Sequence, residues 1–167
     1  YAGKTEYTYG SIGKALVKDR KIEKNKLCLR AIREYFKDHP EDLNHYLAVN
    51  DCYVFFRQAD GGPFGSLGVK VTPYRSIATD KSVFPRGGIA FLVGTLPAMS
   101  GSEREGSRPF TQFLVDQDTG GGIRSAGRAD IFLGTGPDAE LLAGSTSDEG
   151  RLYYVFLKEG SPDVAGK

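Results

Sequence analysis

Cysteine and histidine are scarce in this chain, two of each among 167 residues, and the four do not fall at ligand spacing. Cys28 and Cys52 lack a CxxC arrangement, and His39 and His45 complete no Cys₂His₂ pattern, so a zinc site is not expected. A disulfide is open to the two thiols in an oxidising compartment, whereas two small buried thiols are the plainer expectation. An excess of one charge is missing too. Lys and Arg number 22 against 21 Asp and Glu, a net charge of +1, which gives no electrostatic footing for nucleic acid or an anionic membrane surface. The basic cluster Lys18–Lys26 is interrupted by acids and reads as a solvated helix–loop–helix surface. No apolar run approaches the roughly 20 residues that span a bilayer, so membrane attachment would come only through an anchor outside this chain. The chain starts at Tyr1 without an initiator methionine or signal sequence, as expected of a mature or truncated piece.

What is present is a composition of globular type, 40% hydrophobic and 26% charged, with room for one ordinary domain or a small one with a helical annex. The first third carries helical periodicity. Ser11–Arg20 predicts a short helix with Ile12, Ala15 and Leu16 on one face. Asn25 stands as N-cap of a longer helix running to about Lys37, with Cys28, Ala31, Ile32, Tyr35 and Phe36 as its apolar stripe. Pro40 breaks the pattern, and a third helix follows with Leu43, Tyr46 and Leu47 inward. From Tyr53 the period shifts to near two. Tyr53–Arg57, Leu67–Thr72, Arg75–Thr79, Gly88–Val93, Phe110–Gln117, Asp130–Leu133 and Arg151–Leu157 read as short strands, which predicts a small closed β-barrel. Thr95–Pro109, rich in Ser, Gly and charge, reads as a mobile loop, and Pro137–Ala143 as one or two helical turns. The expected division is a helical segment over residues 1–52, a barrel over 53–158 and a tail over 159–167.

The most informative stretch is Phe110–Leu133. Asp118 and Asp130 stand at the two ends of a glycine-rich turn, Gly120–Gly122, between the apolar runs Phe113–Val115 and Ile131–Leu133. Three glycines permit backbone angles that residues with a Cβ resist, so the chain can fold back and offer a carboxylate at each mouth of the turn. Two Asp residues capping strand ends in a solvated loop is the plainer alternative. Burial of Asp130 against Ile131 and Phe132, with the like charge of Asp118 nearby, would keep a proton on Asp130 near neutral pH, as a general acid requires.

The order of motifs resembles the membrane-bound lytic transglycosylase A family, whose 3D domain is named for three aspartates. The resemblance is carried by Asp118-Thr-Gly-Gly-Gly-Ile-Arg124 and Ala129-Asp130-Ile-Phe-Leu-Gly-Thr-Gly136. Tyr53–Arg57, Gly68–Pro73 and Arg75–Asp80 extend it upstream, with Tyr9–Gly13 and Ala31–Arg33 before them, and Ala143-Gly144 and Gly150–Val155 extend it downstream. It implies a mainly β fold, a double-psi β-barrel of barwin-like type with a small N-terminal helical annex. That annex would be the end of the family's second, groove-forming domain, whose upstream part this chain is expected to lack.

The activity implied is cleavage of the MurNAc-β-1,4-GlcNAc bond of peptidoglycan glycan strands, leaving a 1,6-anhydromuramoyl end. The C6 hydroxyl attacks its own anomeric carbon, so no second nucleophilic carboxylate is needed. The family's catalytic aspartate falls at Asp130, which would give a proton to the leaving oxygen and then take one from the C6 hydroxyl. Asp118 would hold geometry and polarise the site, or simply bond the amides of the glycines after it. Substrate-binding candidates are Gly120, Gly121, the third aspartate Asp80, and Tyr53 and Tyr74, whose rings can stack on sugars but at strand spacing also read as core. No cofactor is implied. The expected setting is the bacterial periplasm at the outer membrane, as a monomer. Two rivals stand beside this reading. One is a non-catalytic glycan-binding or wall-loosening barrel that keeps the acidic pair. The other is an aspartic protease, suggested by Asp118-Thr-Gly120 but opposed by Gly121 after the triplet and Gln117 before it.

Overall fold

The helical part opens where a side chain can close the first turn. In the computed structural model, which describes residues 1–101 and 103–158, Ser11 accepts a hydrogen bond from the Lys14 amide (3.2 Å) and starts α1, Ile12–Lys18, as short hydroxyl side chains do at N-caps. The second helix, α2, Leu29–Asp38, is capped by Cys28 rather than Asn25, its Sγ accepting from the Ala31 amide at 3.4 Å. Lys24–Lys26 forms a separate 3₁₀ turn. Cys28 is therefore an exposed cap and not part of a buried stripe; Cys52 is buried, and both thiols are free. The residue before a proline is pushed out of the α region. Helix α2 ends accordingly at His39, and Pro40–Asp42 leads through a 3₁₀ turn into α3, Leu43–Leu47. Leu16 and Tyr46 are buried, and the Tyr46 hydroxyl donates to Asp19 (3.0 Å).

The chain divides into two units, Tyr1–Asp60 and Gly61–Lys167. In the first, β1, Gly3–Lys4, pairs antiparallel with β2, Val54–Phe55. The strand expected at Tyr53–Arg57 thus has extended structure, but its partner is the start of the chain and not the second unit. Residue alternation specifies a strand's two faces and leaves its neighbour open.

The second unit holds β3, Ser76–Thr79; β4, Ile89–Ser100; β5, Glu103–Asp118; β6, Ala129–Ile131; α4, Pro137–Ser145; and β7, Arg151–Val155. The strands form one sheet in the order β6-β3-β5-β4-β7, parallel only between β3 and β5. Ile77, Ala90, Leu96, Phe110, Leu114 and Leu133 pack the core on one face, with Leu142 of α4 against them. The other face carries exposed Ile89, Val93, Phe113, Val115, Tyr153 and Val155. The chain is thus mainly β with a small helical part.

Two sequence expectations are corrected here, and the fold expectation is met in its mainly β part. The closed barrel is not found among the described residues: β6 pairs with β3 alone and β7 with β4 alone, so the sheet ends in two open edges. Leu67–Thr72 is not a strand; it contributes a single bridge, Phe64 with Lys70, and turns at Gly68, whose φ is +73°. Thr95–Pro109 is no loop but the outer half of a long β4–β5 hairpin, registered from Thr95 opposite Pro109 to Ser100 opposite Glu103. Its polar composition reflects a ribbon bathed by solvent. Arg104 fastens it, donating to Asp148 (2.6 Å), Ser107 (2.7 Å) and the Ser145 carbonyl (3.0 Å). The expected tail over 159–167 lies outside the described residues.

Candidate active site

Strand register brings the two aspartates together. Ala78, on the short central strand β3, is the Cα partner of Asp118 on one side and of Asp130 on the other. Residues in register across neighbouring strands project to the same face. Asp118, Ala78 and Asp130 therefore form one row, with the small methyl of Ala78 as the floor between two carboxylates. Two inter-strand spacings put the outer Cα atoms about 10 Å apart. Both aspartates line one cavity of about 310 Å³, together with Ser76, Gly120, Ile123 and Arg128.

The row depends on an irregularity. Ile77 faces Asp116, yet the next residue, Ala78, faces Asp118, so Gln117 is extra. In an unbroken strand Asp116 and Asp118 would share a face, because the side-chain period is two. One inserted residue redirects the side chains after it, a known use of bulges beside active sites. Asp116 accordingly turns to the core side, fully buried, and accepts from Thr79 (2.6 Å), Tyr154 and Lys81. Burial, and then the bond to Asp116, push the Tyr154 phenol well above its ordinary value. Asp118 turns to the opposite side, half-buried, where the Ser66 amide donates to its Oδ1 at 2.9 Å. The Ser66 loop lies close: a Cβ on Gly65 would sit 2.4 Å from the Gln117 carbonyl oxygen.

Asp130 departs from the sequence expectation of burial against apolar neighbours. It is exposed, and Arg128 grips both its oxygens, Nε to Oδ1 at 2.8 Å and Nη2 to Oδ2 at 2.9 Å. The remaining Nη1 donates to the Gly122 carbonyl at 3.0 Å. Asp130 in turn raises Arg128 above its usual value, first through these bonds and then through its charge. With both side chains about half exposed, such a pair is worth at most about 1 kcal/mol. Extended residues two apart share a face, so Arg128 was legible from its spacing to Asp130. The Ser66 amide was not, because a backbone donor has no residue-type signature.

The other expected residues are placed elsewhere. Asp80 is buried but does not line the cavity. It accepts from the Ser82 amide (2.9 Å), the Ser82 hydroxyl (2.7 Å) and the Ser125 amide (2.7 Å). Those bonds, the Ser82 pair foremost, hold its carboxyl down at about 2 against the opposing effect of burial. Asp80 thereby ties the end of β3 to the excursion between Asp118 and Asp130. Within that excursion Gly120–Gly122 all avoid positive φ, which falls instead on Ser125 (+83°). Gly120 lines the cavity and Gly121 does not. Tyr74 lines a different, wider cavity of about 750 Å³ beside Leu133 and Leu142, with its ring against Phe110. Tyr53 is exposed in the first unit, its amide donating to Thr5 (3.0 Å). Among the described residues no group of three or more His, Cys, Asp or Glu side chains is arranged to hold a metal.

Known proteins resemble this chain along most of its length. The 3D domain matches residues 75–156, and the MltA specific insert domain matches residues 1–57. Membrane-bound lytic murein transglycosylase A of Vibrio cholerae is 32% identical over 99% of this chain and 44% of its own length. The Escherichia coli protein of that name is 30% identical over 98% of this chain and 45% of its own. Among solved structures, the membrane-bound lytic murein transglycosylase of Agrobacterium tumefaciens superposes with a TM-score of 0.79 at 28% identity, covering 92% of this chain and 42% of that one. Escherichia coli MltA with bound chitohexaose gives 0.78 at 29% identity, over 92% and 46%. The chain spans less than half the length of these relatives.

Proposed function

The chain belongs to the membrane-bound lytic transglycosylase A family, and from that premise we propose that it carries the catalytic carboxylates of a peptidoglycan lytic transglycosylase. The observation that carries the proposal is the Asp118–Ala78–Asp130 row in a single cavity. Asp130 protonates the departing glycosidic oxygen, the C6 hydroxyl of N-acetylmuramic acid attacks its own C1, and Asp130 recovers a proton from that hydroxyl. The product ends in a 1,6-anhydro sugar without a water nucleophile. Asp118, fixed by the Ser66 amide, polarises the site from across Ala78. The chitohexaose complex of the Escherichia coli relative supports glycan binding here.

The same reading includes a double-psi β-barrel, supported by the parallel β3–β5 pair between antiparallel neighbours and by the 3D-domain match. It assigns residues 1–52 to the end of a groove-forming domain, supported by the insert-domain match over residues 1–57. A periplasmic setting at the outer membrane and a monomeric state complete it. The relatives' membrane-bound names support the first of these, and among the described residues no helix is long and apolar enough to cross a membrane.

Release of 1,6-anhydromuropeptides from purified peptidoglycan, read by mass spectrometry, is the test. Asp130→Asn is nearly isosteric and removes the proton donor, so release falls by at least about 10²-fold. Asp118→Asn costs less, since an amide partly replaces a positioning group. Normal release by Asp130→Asn with none from Asp118→Asn would reverse the roles. One observation favours a non-catalytic glycan-binding module instead: Arg128 occupies both Asp130 oxygens. That alternative predicts glycan binding with no product, insensitive to either substitution.

A further inference from the structure

Among the described residues lining the cavity of the carboxylate pair, Arg128 is the one cation. Resting on the reading of Asp130 as the acid, we propose that Arg128 is an exchangeable counter-ion that selects anionic glycans. It pairs with Asp130 in the ligand-free protein and transfers to a carboxylate of the bound strand, such as the lactyl or stem carboxylate of muramic acid.

Three features of the site support the exchange. The first concerns why the pair must open. Both Asp130 oxygens accept from Arg128, whereas a general acid must carry its proton on one of them and aim it at the sugar oxygen. A protonated carboxyl has lost its charge and keeps only its carbonyl oxygen as a good acceptor, so the two-point grip of the guanidinium gives way.

The second concerns why it can open. Arg128 and Asp130 keep 54% and 47% of their side-chain surface exposed, so solvent screens their attraction. Among the described residues, the only further bond of Arg128 is to the Gly122 carbonyl, itself a neutral acceptor.

The third concerns where the guanidinium goes. A cation released into the cavity needs a new anion, and a substrate carboxylate entering between Asp118 and Asp130 needs a cation to offset both. A carboxylate accepts the same planar two-point fork that Asp130 accepts now. Asp118 is the competing acceptor, although the Ser66 amide already holds its Oδ1. If Asp118 took the guanidinium, neutral and anionic glycans would bind alike.

Arg128 is thus a positioning and selecting residue acting through Asp130. The test is equilibrium binding of two probes by titration calorimetry. One is a tetrasaccharide of alternating N-acetylglucosamine and N-acetylmuramic acid with free lactyl carboxylates; the other is its methylamide. The protein binds the free acid about tenfold more tightly, the lower end for a charge-assisted hydrogen bond. Arg128→Gln abolishes that preference, and Arg128→Lys restores part of it. Asp130→Asn widens it, because the guanidinium is no longer held. In turnover, Arg128→Gln removes the KM advantage of carboxylate-bearing strands over amidated ones. Equal binding of the two probes by the unaltered protein, or a full preference surviving in Arg128→Gln, overturns the proposal. A protein that discriminates between the probes but forms no anhydro product refutes the catalytic reading instead. Product formed without discrimination refutes only the role of Arg128.

Discussion

Substituting alanine for glycine separates the glycines that look important in the sequence from the one the site cannot spare. At Gly65 an added Cβ would lie 2.4 Å from the Gln117 carbonyl oxygen, 3.1 Å from its carbon and 3.2 Å from a Val71 methyl. Two of those three atoms are backbone at the extra residue of β5, so relief requires the loop and the strand to part. Overpacking of this kind costs about 1–3 kcal/mol. With a urea dependence of roughly 2 kcal/mol per molar, the unfolding midpoint falls by about 1 M. The neighbouring Ser66–Asp118 hydrogen bond, 2.9 Å, is lost with it, so under the proposed function anhydromuropeptide release falls as well. Gly120→Ala meets only the end of the Ile123 side chain at 3.2 Å, which can rotate, and Gly121→Ala meets nothing within 4 Å. The Gly121 change is neutral or slightly stabilising, by at most about 1 kcal/mol, through a less flexible unfolded chain. Urea unfolding followed by far-UV circular dichroism ranks the three. A Gly65→Ala midpoint within about 0.2 M of the parent, or a Gly121→Ala loss as large as that of Gly65→Ala, refutes the reasoning.

Two further predictions concern stability. Asp80 is held at about 2 when folded, below its ordinary 3.8. It therefore contributes stability that is fully present above about pH 4 and fades as the pH falls towards 2. The melting-temperature gap between the parent and Asp80→Asn is accordingly widest near neutral pH and closes over that acid range; a gap constant down to about pH 2 would show that the ionised carboxylate is not what matters. Arg104→Ala leaves the nearly buried Asp148 carboxylate without its cation and frees the hairpin tip. It costs about 1–3 kcal/mol and speeds amide exchange over Thr95–Pro109 before any other segment of the sheet, whereas unchanged exchange there would mean that Arg104 is not the fastener.

Much of this protein was legible without coordinates, because some properties depend only on neighbours in the chain. The short helix from Ser11, Pro40 as a break and the strand at Gly88–Val93 follow from local sterics and period. The resemblance of the segments around Asp118 and Asp130 to the 3D family likewise rested on motif order alone. What the fold alone decided is everything that depends on which strand lies beside which. Val54–Phe55 is strand-like in sequence, but only pairing showed that it joins Gly3–Lys4. The polar ribbon beyond Thr95 is ordered by cross-strand bonds that composition does not report. Asp130 sits directly before an apolar run yet is exposed, because Arg128 and solvent, rather than Ile131, surround its carboxylate. The facing of the two aspartates across Ala78 needs the extra residue at Gln117, and a shift of one residue in register leaves no mark in amino-acid type. Local sequence sets each residue's preferences, and long-range pairing decides which side chains meet, since hydrogen-bonded backbones are chemically the same whatever they carry.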